Sequence, residues 1–221
     1  SFVGNAVVRG LGVNYTNYPQ IIDVKWSPTI AWQVALFGLL AGIIALVFVR
    51  VTLFIRGAMK KYVAWYPARP LIGGILLAIL IGACGWRDYQ GFSFPLMLEA
   101  MNGATSGHFE VKLFLTALTI GTGFVGGEVI PLLATGAMAG AMFANLIGAN
   151  VAVFAIVGSV AVLAGATNTP LACTFIGIEL FGGNGAILFA LACVAAYATS
   201  GHTGIYHAQK VVAHKSGEAI T

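Results

Sequence analysis

The chain has 221 residues, 59% of them hydrophobic and only 8% charged, and a mean hydropathy of +0.92, whereas soluble domains carry about 25% charge. Eleven Lys and Arg with seven Asp and Glu are too few to coat a folded surface in water, which excludes a soluble globular enzyme and a disordered chain. The formal charge of +4 reflects a shortage of acids as much as a surplus of bases, so it reads as membrane topology and not as attraction to nucleic acid.

Residues 1–12 read as the end of an apolar membrane helix already under way, with no initiating Met and no basic leader before it, so the sequence is expected to be a fragment. Residues 30–49 hold twenty positions without a formal charge, about the length that crosses a hydrocarbon core of roughly 30 Å. Ser27 suits the N-cap and Pro28 the first turn. Arg50, Arg56, Lys60, Lys61 and Arg69 follow with no acid among them. The positive-inside rule places this segment in the cytoplasm and the loop at 14–27 outside. Residues 70–86 form the next expected span, rich in glycine (Gly73, Gly74, Gly82, Gly85) as close helix packing in lipid allows, and Arg87-Asp88-Tyr89-Gln90 ends it. Residues 92–100 are too short to cross and contain Pro95, which predicts a short or re-entrant helix.

After Glu110 and Lys112 the chain is almost chargeless: none at 113–127, then Glu128, fifty residues without charge at 129–178, Glu179, and thirty more at 180–209. Gly121, Gly123, Gly126, Gly127, Pro131, Gly165 and Pro170 cut this region into pieces shorter than an ideal span. Broken helices at membrane depth survive where their free backbone groups line a site or are buried in protein, so function is expected here. In Gly126-Gly127-Glu128-Val129-Ile130-Pro131 the glycines free the backbone for a turn and Pro131 suits the first turn of a helix running to about Ile147. A helix N-terminus inside a membrane favours an anion through its unpaired N–H groups and its dipole. Gly136 and Gly140 make a GxxxG, read as packing. Glu128 has two readings: a carboxyl that is neutral part of the time and relays protons, or a structural acid that satisfies loop N–H groups at a helix start.

Gly165 to Pro170 repeats the small-residue break before a second apolar helix, with Asn168 and Thr169 as expected capping groups. Glu179 reads as a structural partner for backbone N–H groups of a neighbouring loop. Tyr206, after the last apolar run, could aim an uncharged hydroxyl at an anion or lie at the membrane interface. Cys84, Cys173 and Cys193 sit in apolar runs without metal or redox spacing and read as buried thiols. There is no HExxH and no GxSxG, and His108, His202, His207 and His214 fall near the expected ends of spans, so neither a hydrolase nor a metal role is favoured. A purely structural membrane subunit would explain the small residues but not two broken helices, a lone Glu128 and Tyr206.

These elements, in this order, resemble the CLC family of chloride channels and anion/proton antiporters. G-E-V-I-P from Gly127 to Pro131 sits where that family carries G-x-F-x-P at the start of a half-helix. A-T-N-T-P-L-A-C-T-F-I-G-I-E-L at 166–180 is similar to its penultimate conserved segment, which ends in an acid, and S-G-H-T-G-I-Y places Tyr206 at the family's central anion-binding tyrosine. Within the family, Glu128 and Val129 look most like the fluoride/proton antiporter branch, whose motif reads G-E-V-T-P; Ile130 stands where that branch often has Thr.

The resemblance implies an all-α polytopic membrane protein, in which residues 1–221 are the C-terminal half of a CLC-type transport domain and the second of two inverted repeats, with broken and half-membrane helices at 113–209. It implies export of fluoride in exchange for protons, with a chloride channel or chloride/proton antiporter as the alternative. Gly127, Val129 and Ile130 would be backbone anion donors, Tyr206 a hydroxyl donor and Glu128 a proton-linked carboxylate beside the anion. Pro131, Asn168, Pro170 and Glu179 would be structural, and no metal or cofactor is implied. The implied partners are fluoride or chloride and protons, the lipid bilayer, a second copy in a homodimer and the first repeat of the same protein, whose G-R/K-E-G-x gating motif this sequence lacks. Without that repeat, transport by residues 1–221 alone is not expected. The implied location is the plasma (inner) membrane, with a cytoplasmic C-terminus.

Overall fold

The computed structural model describes residues 2–12, 18–21, 27–105 and 107–206. Most of the loop at 14–27, His207, His214 and the polar tail with Lys210 and Lys215 lie outside the described residues. The described residues form helices without strands: α1 (Phe2–Gly10), α2 (Pro28–Tyr62), α3 (Ala68–Cys84), α4 (Phe94–Met101), α5 (Phe109–Gly121), α6 (Val129–Ile147), α7 (Val151–Thr167), α8 (Pro170–Phe181) and α9 (Ala186–Thr199).

The start of α2 is as expected: Ile30 N donates to Ser27 Oγ at 3.2 Å, with Pro28 in the first turn. Its end is not. The helix runs past Arg50 to Tyr62, a total of 35 residues, roughly 52 Å at 1.5 Å per residue. Arg and Lys are good helix formers, and Lys60 and Lys61 complement the C-terminal dipole in the last turn, so nothing stops the helix before Val63. The basic residues are therefore carried on a rigid extension beyond one bilayer core of about 30 Å. By length and composition α2 and α6 can each cross a membrane, and α3, α7 and α8 are shorter apolar helices. Only Gly73 of α3 is buried, while Leu71, Ile72, Ile75, Leu76 and Ile79 are exposed. A helix apolar on its outer face suits lipid or further protein, not water.

The core is built around α7, in which every residue from Phe154 to Thr167 is buried. It packs most extensively on α6, and α2, α9, α8 and α4 cover its other sides. The α6–α7 contact is made by glycine: a Cβ on Gly136 would strike the Gly158 carbonyl, and one on Gly140 the Phe154 carbonyl. The GxxxG thus acts as the packing motif expected of it. At one end of this pair Phe37, Phe143 and Phe154 form a cluster with ring centroids 5.2 to 6.0 Å apart.

The expected break at Gly165 is shorter in the structure. Gly165 remains helical because it serves close approach: a Cβ there would meet Ala45 Cβ of α2 at 2.7 Å and Ser200 Cβ at 3.3 Å. Only Asn168 and Thr169 separate α7 from α8. The short helix expected at 92–100 is α4, whose Met97, Ala100 and Met101 are buried, in part against α6.

Candidate anion site

Three interrupted segments converge at one end of α6. In the first, Thr122 stops α5 by donating both its N–H and its hydroxyl to the Leu118 carbonyl, at 3.0 and 2.8 Å. Gly123 turns the chain with φ of +98°, and Gly126 and Gly127 are exposed. Glu128 takes the N-cap position of α6, but its side chain makes no capping bond. The first bond of α6 is Leu132 N–H to the Glu128 carbonyl at 3.1 Å. The amides of Val129 and Ile130 precede it and have no intrahelical acceptor, and Pro131 has no N–H.

The second segment joins α7 to α8. Asn168 closes α7 in the left-handed region, with φ of +56°, and Ser200 Oγ lies 3.2 Å from its Oδ1. The expected capping role is corrected here. Asn168 terminates the preceding helix, and Thr169, at the N-cap of α8, makes no side-chain cap bond. Its hydroxyl lies instead 2.7 Å from that of Thr167, and both approach Cys173 Sγ, at 3.7 and 3.8 Å. Pro170 occupies the first turn of α8, as anticipated. Holding a non-glycine residue at positive φ costs about 1–2 kcal/mol, which Asn bears better than most. Asn168→Ala is therefore expected to lower stability by about that amount while Asn168→Gly loses less, read as thermal unfolding of the purified protein in detergent.

The third segment follows α9. Ile205 N–H donates to the Ala166 carbonyl at 3.0 Å, and the Ile205 side chain is buried. This pins the chain to the end of α7 and sets Tyr206, which is 42% exposed, beside α6. The Tyr206 phenol and the Glu128 carboxyl lie within side-chain reach of each other.

The structure therefore brings Glu128 and Tyr206 together, with the amides of Val129 and Ile130 at the same helix start. Glu179 is not part of this cluster. It is exposed on α8. Cys173 belongs near the site, a neighbour that its place one turn after Pro170 would have signalled. Lys112 was also missed. It is 2% exposed, and its Nζ donates to the carbonyls of Tyr89 and Gly91 at 3.1 and 2.5 Å. A cavity of about 480 Å³ joins Lys112, Thr116 and Thr119 of α5 to Gly126, Gly127 and Pro131. A lone Lys in an apolar helix was the signal, since a buried ammonium must find acceptors.

Broken apolar helices whose ends meet at a partly open polar site are the build of a membrane ion-pathway protein. Residues 1–201 match the family model described as "Voltage gated chloride channel". A relative described as a chloride/fluoride channel protein, from Pseudomonas syringae pv. tomato, is 36% identical over 221 residues, covering 96% of this chain and 48% of its own length. An uncharacterised protein of Methanocaldococcus jannaschii is 31% identical over 137 residues, covering 60% of this chain and 34% of its own. Among solved structures, a CLC-type fluoride/proton antiporter superposes with a TM-score of 0.87 at 29% identity, over 95% of this chain and 53% of that one. A slow cyanobacterial Cl-/H+ antiporter gives 0.67 at 21% identity, over 90% and 50%, and so shares the fold alone. The chain belongs to the voltage-gated chloride channel family, whose members are channels and transporters and not enzymes. It is a membrane protein of the CLC fold and spans about half the length of the chloride/fluoride channel protein and of the fluoride/proton antiporter.

Proposed function

We propose that this chain supplies one side of an anion pathway that moves fluoride in exchange for protons, together with a first repeat and within a homodimer. The observation that carries this reading is the approach of Glu128 to Tyr206 at the start of α6. An ionised Glu128 accepts the Tyr206 hydroxyl hydrogen. When fluoride arrives, Tyr206 turns its O–H to the anion beside the Val129 and Ile130 amides, and Glu128 takes up a proton. The neutral acid then becomes a donor in its turn. Fluoride is small and strongly hydrated, so the site must return several strong hydrogen bonds for those it strips away, and amides, a phenol and a carboxylic acid do so without a fixed cation. The similarity to a chloride/fluoride channel protein and to a fluoride/proton antiporter supports the substrate assignment.

Other parts of the reading rest on separate features. The homodimer is supported by an unfilled apolar face on α8 and α9, where Leu171, Phe175, Ile187 and Val194 are exposed. Placement of the basic 50–69 segment in the cytoplasm is supported by its charge asymmetry, and placement in the plasma membrane is what the family resemblance implies.

The test is made on the full-length gene product that carries this chain, in proteoliposomes loaded with fluoride or chloride, recording anion efflux and pH together. Fluoride efflux well above chloride, with protons driven uphill, is expected. Chloride efflux as fast or faster without proton movement would replace this reading with that of a chloride channel and leave Glu128 a structural acid.

A further inference from the structure

Three of the five basic residues of the 50–69 segment share one cavity. Arg56 and Lys60, one turn apart on a single face of α2, and Arg69, at the start of α3, line one cavity of about 300 Å³ together with residues 120–125. Arg56 and Arg69 are half-buried and Lys60 is exposed. Arg69 is held in place: its Nε donates to the Val63 carbonyl at 2.9 Å, and its guanidinium lies 5.4 Å from the centroid of the Tyr66 ring. A guanidinium anchored through Nε presents its terminal N–H groups as a preset fork, a geometry that fits a phosphate. No carboxylate lines this cavity, and the sequence has no acid at all from residue 24 to 87. Three cations that line one cavity without an acid favour an anion.

The surroundings decide which kind. Tyr66, which lines the cavity, and its sequence neighbours Tyr62 and Trp65 are exposed, the residue types that mark a boundary between lipid and water. The outer face of α3, which starts at the same place, is apolar and exposed through Leu71, Ile75 and Ile79. A soluble phosphate would use the cations and not that face. A lipid uses both. We infer that this cavity binds the phosphate headgroup of an acidic phospholipid, whose acyl chains lie along α3. Basic pockets between membrane helices bind headgroups in this way. The headgroup would fasten the ends of α2 and α3 to the 122–125 loop, which leads directly into Gly126, Gly127 and Glu128.

The experiment uses the full-length gene product in detergent, exchanged with phosphatidylglycerol or phosphatidylcholine and analysed for retained lipid by native mass spectrometry. Phosphatidylglycerol is expected to be retained in preference to phosphatidylcholine. In R56Q/R69Q the preference falls about fivefold for each cation removed, whereas K61Q, the same charge change outside the cavity, leaves it intact. Should the double variant fail to fold, K60Q at an exposed position is expected to cost about fivefold by itself. Equal retention of the two lipids, or equal losses in K61Q and the cavity variants, overturns the assignment. Displacement of phosphatidylglycerol by inorganic phosphate at comparable concentration also overturns it, because the site would then take a soluble anion. None of these outcomes depends on which anion the protein transports.

Discussion

Glu128→Gln abolishes proton movement before it abolishes anion movement. Gln has nearly the shape of Glu, and its side-chain carbonyl can still accept a hydrogen bond from Tyr206, so the start of α6 and its two open amides are left in place. What it cannot do is take up and release a proton. A positioned proton carrier contributes about 10²–10⁴ to a rate, so anion-driven proton uptake in proteoliposomes is expected to fall by about a hundredfold or more. Fluoride efflux falls less, and chloride efflux changes little. Glu179→Gln is the matched control: that residue is exposed on α8, and its substitution leaves both fluxes unchanged. Proton uptake that survives in Glu128→Gln would show that this carboxyl carries no proton and would return it to the role of a structural acid.

Much of this arrangement was legible in the sequence, for reasons that can be stated. The start of α2 was readable because Ser27-Pro28 is a local signal, and Ile30 does donate to Ser27 Oγ. Its end was not. A charge such as Arg50 marks the edge of a lipid core, but it does not stop a helix that other elements support. Gly165 looked like a break because glycine in sequence cannot distinguish a turn from a close approach, and only the α2 side chain of Ala45 packed against it decides. Asn168 was placed at the wrong helix for a similar reason: a polar residue between two helices can close one or open the next, and its left-handed backbone closes α7. The pairing of Glu128 with Tyr206 spans 78 positions and depends on Ile205 reaching the Ala166 carbonyl, a contact no local pattern encodes. Lys112 was visible as a charge but not as a buried one.

The same tertiary logic makes Gly140→Val the most damaging substitution expected of the fold. An added Cβ would meet the Phe154 carbonyl, with the Ala155 Cα 3.1 Å away. Both are backbone atoms of a fully packed helix, so no side chain can turn aside to make room and α6 must part from α7. Overpacking of this kind costs about 1–3 kcal/mol and occasionally more. The damage also reaches the site: Glu128 rides at the start of α6, while Tyr206 is tied to α7 through Ala166. Separating the two helices pulls the carboxyl from the phenol. Gly57→Ala supplies the contrast, because Gly57 is helical within α2 and a Cβ there meets nothing within 4 Å. Replacing an unencumbered helical glycine gains about 0.5–1 kcal/mol. Thermal unfolding in detergent should therefore move in opposite directions, down for Gly140→Val and up for Gly57→Ala. A Gly140→Val protein that melts with the wild type would mean that the α6–α7 backbones are not in the contact that aligns Glu128 with Tyr206.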